Sequence, residues 1–269
     1  MPVSQIVLNS THYDKSSKTF KYRFPSRPML KEGDQISLDS AHLFNSFFNV
    51  TSSNNTISVK FPSGTGYYQL DTTIEEGYYS VEAMNYRLQK LCYDNKLYVE
   101  STNGKIVYFF NLYTSETQYA IVLQTYATTS TMVPPANAPW SQVTSQRTMQ
   151  FKMGFGSLYG FDNVWSGGTT SASTYTISST QIPQIDRFNA IVMRCNLCNN
   201  PASNPPDFLY SMPLNAAFGS LMSSPQHAPM WSSVVSGQPE QLTIQLCEND
   251  LTPLSLIYTN ALLVVNLKH

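Results

Sequence analysis

The segment DQISLDSAHLFNSFFNV, Asp34 to Val50, decides how this chain is read. After a Gly33-Asp34 turn, Ile36 and Leu38 point one way and Gln35, Ser37 and Asp39 the other, the period-2 alternation of a half-buried strand. The pattern then becomes apolar on both sides at Leu43, Phe44, Phe47 and Phe48, as expected for a strand passing under other layers. Before it, Phe20, Tyr22 and Phe24 alternate with Thr19, Lys21 and Arg23 up to Pro25, a second strand. Lys21 and Arg23 read as a solvated outer face, with a subunit contact as the other reading. After it, Ile57, Val59 and Phe61 alternate from an Asn54-Asn55 turn until Pro62, which should end the ladder.

Farther along, one helix is predicted over Ser80 to Cys92. Val81, Met84, Leu88 and Leu91 fall on one stripe, Ser80 can cap the free amides, and Glu82 suits the positive end of the dipole. The stretches LYVES, KIVYFFNLY and YAIVLQT, with a hairpin at Asn103-Gly104, are β-branched and aromatic and too short for amphipathic helices. Tyr126 to Gln146, with Pro134, Pro135 and Pro139 around Trp140, reads as a long exposed loop or outward insertion. Met149, Phe151 and Met153 resume a strand, Gly167 to Ser173 is a flexible loop, and Phe188 to Cys198 is a buried strand. Asn199 to Pro239 holds at most short strands, such as Phe208 to Met212. At the end, Leu242, Ile244 and Leu246 alternate, and SLIYTNALLVVNLK reads as a long strand covered on both faces, while VSQIVL near the start reads as an edge strand. Many short strands, one helix and no βαβ rhythm define an all-β sandwich or barrel. At 269 residues this suits one large domain over 1–269 with a loop insertion at 126–147, two small domains being the alternative.

Charged residues are only 12% of the chain, about half the usual share of about 25%. The surface must then be covered by Ser, Thr, Asn, Gln and Tyr, which lose little when another protein desolvates them, and this favours assembly. A net charge of −1 without a long Lys/Arg run provides no polyelectrolyte arm, so direct nucleic-acid binding is not expected. The N-terminus lacks the pattern of a signal peptide, and no apolar stretch is long enough for a membrane span. A reducing compartment follows as the expectation, with Cys92, Cys195, Cys198 and Cys247 as free thiols and the sequons at Asn9, Asn49 and Asn54 unmodified.

No catalytic constellation stands out, and no catalytic, cofactor or metal residues are assigned. Cys195-Asn-Leu-Cys198 has zinc-knuckle spacing but no second pair; the other Cys are isolated, and the histidines are His12, His42, His227 and His269. On a continuous strand the two thiols would point to opposite faces, so a structural or inert pair is favoured. Gly154 to Gly160 has one residue too many for a dinucleotide fingerprint and reads as a packing turn. There is no G-x-S-x-G elbow, His42 lacks an identifiable nucleophile to serve, and Glu75-Glu76 reads as an exposed turn.

The Asn9-Ser10 start with Asp14, the F-x-Y-x-F strand at Phe20 to Phe24 and the turn into QISLDSAHLFNSFFNV together form a recognisable order. They are followed by EEGYYSVEAMNYRLQKL and by the closing pair PEQLTIQLCENDLTPLSLIYTNALLVVNLK. This order resembles the single jelly-roll minor capsid, or penton, proteins of virophages and polinton-like viruses. The resemblance implies a single jelly-roll β-sandwich with one short helix and long loops. It also implies a structural, non-enzymatic role without cofactors, as homopentamers that close the fivefold vertices of an icosahedral double-stranded DNA virus shell. The implied partners are the chain itself, a double jelly-roll major capsid protein, and a host-surface receptor met through exposed loops. The implied location is the virion vertex, after synthesis in the host cytoplasm or virus factory. Two other readings compete: a carbohydrate- or receptor-binding sandwich using Tyr67, Tyr68, Trp140 and Trp165, and a β-scaffold enzyme such as a glycoside hydrolase.

Overall fold

The computed structural model describes the chain apart from Met1 and residues 101–103, 130–131, 166–173 and 226–228. The expected loop at Gly167 to Ser173, Asn103 of the expected hairpin and His227 lie outside the described residues. The backbone gathers into two compact units, Met1–Phe47 with Phe188–His269, and Phe48–Arg187. In chain order the first unit opens with β1 (Val3–Asn9), β2 (Tyr13–Asp14), β3 (Thr19–Arg23) and β4 (Gln35–Phe44). The second holds β5 (Thr56–Ser63), β6 (Gly66–Thr73), α1 (Val81–Asp94), β7 (Val99–Glu100) and β8 (Ile106–Val107). It continues with β9 (Phe110–Thr114), β10 (Ile121–Thr125), β11 (Gln150–Met153) and β12 (Tyr175–Ser178). The chain returns to the first unit for β13 (Ala190–Cys195), β14 (Phe208–Pro213), β15 (Leu221–Pro225), β16 (Ser232–Ser233), β17 (Gln241–Cys247) and β18 (Ala261–Lys268).

The first unit is a sandwich of two antiparallel sheets, β1-β18-β4-β15 and β14-β13-β17-β3-β2, with β16 added to β4. Without the two-residue strands β2 and β16, eight strands remain, and in chain order they lie 1-8-3-6 in one sheet and 2-7-4-5 in the other. The first strand lies beside the last and nearly every connection crosses between sheets, which is jelly-roll wiring. The connection from the third of these strands to the fourth, β4 to β13, carries the whole second unit.

Alternation fills the space between the sheets. Ile36, Leu38, Ala41 and Leu43 of β4 are all buried, although a strict period of two cannot put both pairs on one face. A bulge reconciles them: Val264 of β18 opposes Ser40 while Val265 opposes Leu38, leaving Asp39 as the extra residue that resets the phase. Phe20 of β3, Ile191 and Met193 of β13, and Leu242 and Ile244 of β17 join the same apolar cluster from the other sheet. The two-sided apolarity after Leu43 has another origin than the one expected. The strand ends at Phe44, and Phe47 caps the core edge-on against Phe188, ring centroids 5.2 Å apart, where the chain leaves the unit and comes back. Nor is the final strand covered on both faces: β18 begins only at Ala261, and Leu262 on its outer face is 38% exposed.

In the second unit the sheets are β11-β5-β6 and β12-β10-β9, with a separate β7-β8 pair. Pro62 does not end β5, which runs on to Ser63. Its missing N–H is tolerated because β11 reaches only as far as Lys60. The run Lys105 to Tyr113 breaks into β8 and β9, β12 was not expected, and β15 is one of the short strands allowed within Asn199 to Pro239 but not singled out. Helix α1 is capped by Ser80, whose Oγ accepts the Ala83 N–H at 3.2 Å, and it packs on β9, an edge strand. Asn85 fixes the register of that contact, its Oδ1 accepting the Leu112 N–H and its Nδ2 donating to Asn111, both at 3.0 Å.

The described residues of 126–147 form the expected loop without helix or strand, but it is not exposed throughout. Trp140 and Val143 are buried in the core of the second unit, the indole 4.7 Å from the Phe61 ring with its N–H donated to the Lys96 carbonyl at 2.8 Å. A proline-rich backbone lacks strand pairing, yet its large aromatic still gains by burial. Gly154 to Gly160 is a packing turn: a 3₁₀ turn over Gly156–Tyr159 ends at Gly160 with φ +76, where a Cβ would collide with the Gln181 carbonyl.

Candidate functional site

The candidate functional surface is the outer face of β1-β18-β4-β15 and its free edge. The register puts outward-facing residues in rows: Val7 beside Val264 and Ser40; Asn9 beside Leu262, His42 and Ser223; and Phe44 beside Leu221. Val7 and Leu221 are 46% and 54% exposed, and the half-buried Phe44 leans on the exposed Tyr258 ring at 5.9 Å. Charge is sparse here. Asp39 accepts from the Asn266 amide at 3.1 Å, and Lys268 lies over the Trp231 ring at 5.3 Å. The sheet ends at β1, whose sequence VSQIVLN carries no charge and no proline along an unpaired edge. Natural edge strands are commonly blunted by such residues, and an edge without them is a ready pairing template.

The outer face of the other sheet differs in kind. Lys21 reaches Asp14 at 2.7 Å, and Arg194 forks onto Asp207 with contacts of 3.0 and 2.8 Å. Hydrogen bonds from Lys21, Ser16 and Ser17 hold the Asp14 carboxyl well below the usual carboxylate range. The sandwich thus presents one charge-poor face of mixed apolar and small polar side chains and one face of paired charges.

The residues weighed for chemistry are scattered. His42 Nδ1 meets Ser223 Oγ at 2.8 Å across strands on the open face. A triad would also need a group orienting the ring and a cleft around it. Glu75 is exposed and lies 3.8 Å from Arg87, and Glu76 is exposed beside it. Among the described residues no group of three or more His, Cys, Asp and Glu gathers as a metal site would require. The aromatics considered for sugar stacking do not form a platform. Trp140 is buried, Lys60 covers the Trp165 ring at 4.0 Å, and Arg147 lies 5.3 Å from the centre of the Tyr67 ring. Of the sequons, Asn49 is 1% exposed, with its amide donating to the Tyr79 and Ile185 carbonyls, so the folded chain does not offer it for modification.

The cysteine pair departs from expectation. β13 stops at Cys195, a turn follows, and the Cys198 N–H donates to the Cys195 carbonyl at 3.0 Å. Both thiols therefore enter the same core and hydrogen-bond to each other, where a continuous strand would have sent them to opposite faces. Sequence patterning missed this because the strand end is set by a bridge from Cys198 to Val234, far away in the chain.

Eight strands wired as a jelly roll define a single jelly-roll sandwich with a large insert. No protein-family model matches the sequence, and no curated protein matches it. Among solved structures the chain is similar to the mavirus penton protein, with a TM-score of 0.50 and 9% identity, covering 99% of this chain and 98% of that one. The Sputnik virophage structure, solved by cryo-EM, aligns with a TM-score of 0.45 and 8% identity over 100% of this chain and 98% of that one. At such identities the likeness is one of fold alone.

Proposed function

We propose that the protein is a structural capsid subunit, a penton whose five copies close the fivefold vertices of an icosahedral double-stranded DNA virus shell. The observation that carries this reading is the end-to-end fold likeness to the mavirus penton protein. A cyclic head-to-tail ring needs two different, complementary faces on each subunit, and the sandwich offers a charge-poor face of apolar and small polar side chains and a charge-paired one. The whole chain, 1–269, acts as one building block, with a double jelly-roll major capsid protein as the neighbouring partner. Its place is the virion vertex after synthesis in the host cytoplasm or virus factory. The role is structural, not catalytic.

Native mass spectrometry tests the reading. A species near five times 30.2 kDa is expected, alone or on adding the major capsid protein. A chain that stays monomeric in both settings removes the penton assignment.

A further inference from the structure

The Cys195–Cys198 turn sits at a seam. Its residues pair with a segment that also pairs with the opposite sheet: Asn199 N–H donates to Ser233 O at 2.8 Å and Val235 N–H to Leu197 O at 2.9 Å. Ser232 and Ser233 in turn pair with Ile36 and Gln35 of β4. The turn therefore joins the sheet containing β13 to the sheet containing β4 at one end of the sandwich.

Within the turn the two sulfurs are not equivalent. Cys195 Sγ accepts the Leu197 N–H at 3.4 Å and also receives the Cys198 thiol hydrogen, so donors converge on one sulfur. Burial alone would raise the Cys195 thiol, but hydrogen bonds from the Cys198 thiol and from the Leu197 and Cys198 N–H groups outweigh it and lower it. Cys198 is pushed up by its hydrogen bond to Cys195 and then by its own burial. Two sulfurs three residues apart in a hydrogen-bonded turn, one gathering donors and the other donating to it, form the C-x-x-C arrangement that dithiol–disulfide chemistry uses. Cys92 and Cys247 are buried without a thiol neighbour, and burial pushes both of them up.

We propose that Cys195 and Cys198 are a redox modification site that small peroxides convert to an intrachain disulfide. The Cys195 thiolate attacks one peroxide oxygen, breaking the O–O bond and giving a sulfenic acid and hydroxide. The Cys198 sulfur then attacks the sulfenic sulfur, the S–S bond forms, and the sulfenic oxygen leaves as water with the Cys198 proton. In sum, two thiols and one hydrogen peroxide give one disulfide and two waters. Both sulfurs are nearly buried while Asn196 and Asn199 flanking them are exposed, so the turn lies near the surface and the oxidant is taken to be as small as hydrogen peroxide. The ring closed by such a short loop removes little chain entropy, so the effect is local stiffening of the seam.

The test treats the reduced full-length chain with hydrogen peroxide, then denatures and alkylates it and maps the peptides by mass. The peptide holding Cys195 and Cys198 is expected to lose two hydrogens and take no alkyl group, while Cys92 and Cys247 alkylate fully. The oxidised chain should also exchange the Asn199 and Val235 amide hydrogens more slowly than the reduced one. In Cys198→Ser, Cys195 should be trapped by dimedone as the sulfenic acid, an adduct absent from the unsubstituted chain. Full alkylation of Cys195 and Cys198 after treatment, or equal oxidation of all four cysteines in the folded chain, overturns the proposal. The mass readout on the unsubstituted chain decides even if the variant does not fold.

Discussion

Asn49 shows how much one polar side chain can hold. Its Oδ1 accepts the Tyr79 N–H at 2.9 Å, and its Nδ2 donates to the Tyr79 and Ile185 carbonyls at 3.0 and 3.1 Å. It thereby ties together the entry of the chain into the second unit, the approach to α1 and the exit of the chain. Asn49→Ala leaves buried backbone groups without partners, each costing about 1–3 kcal/mol. A clear drop in the denaturant midpoint of the second unit is expected, and an unchanged midpoint would mean that these bonds contribute nothing. Asp34 acts through ionisation. The Lys31 N–H at 3.0 Å, against the cost of burial and with help from His269, holds its carboxyl below the ordinary value. A depressed folded value contributes stability that is present above the unfolded value of about 3.9 and is lost as the pH falls through the folded one. The stability gap between the wild-type chain and Asp34→Asn should therefore be largest near neutrality and narrow below about pH 4. Equal gaps in urea melts at both pH values would show that folding does not favour the ionised carboxylate.

Among the elements, β1 is the most exposed to test. Lysine at position 7 stays on the outer face of an edge strand, where it should leave the fold nearly unchanged, within about 0.5 kcal/mol. In the proposed ring it places a charge in an apolar contact, so Val7→Lys should lower the yield of the pentameric species without lowering the melting temperature. Pentamers in undiminished yield would remove β1 and its face from the subunit contact. Most strands with strict alternation were legible in the sequence, including β3, β17 and the first half of β4, because burial on one face writes itself into every second residue. Helix α1 was legible too, through its stripe and Ser80. The rest depended on partners remote in the chain. The Asp39 bulge follows from pairing with β18, more than two hundred residues away, and β12 and β15 are short strands whose sequences resemble loops. Trp140 was misplaced because prolines report on backbone pairing and say nothing about where an indole goes. The make-up of the charge-poor outer face was not legible either, since alternation does not say which outward residues line up across strands.

At the scale of the whole molecule, each unit closes on itself. Phe47 and Phe188 meet in the first, and Asn49 and Ile185 meet in the second. All eight jelly-roll strands lie in the first unit, so replacing residues 48–187 by a short glycine-serine linker should leave a cooperatively folding sandwich. Thermal unfolding followed by near-ultraviolet dichroism checks this, and a molten product would mean that the sandwich depends on its insert. The sequence hid this organisation because the insert has the same strand-rich composition as its host, and only the paired ends mark the boundary.

Because the chain departs and returns at neighbouring points, the sandwich experiences its insert as a closed loop whose content is irrelevant to strand order. Such a locus tolerates wholesale exchange: one cassette can replace another of different length and ancestry while every β-ladder in the host keeps its partners. A lineage can then diversify that cassette rapidly and leave the host sandwich untouched.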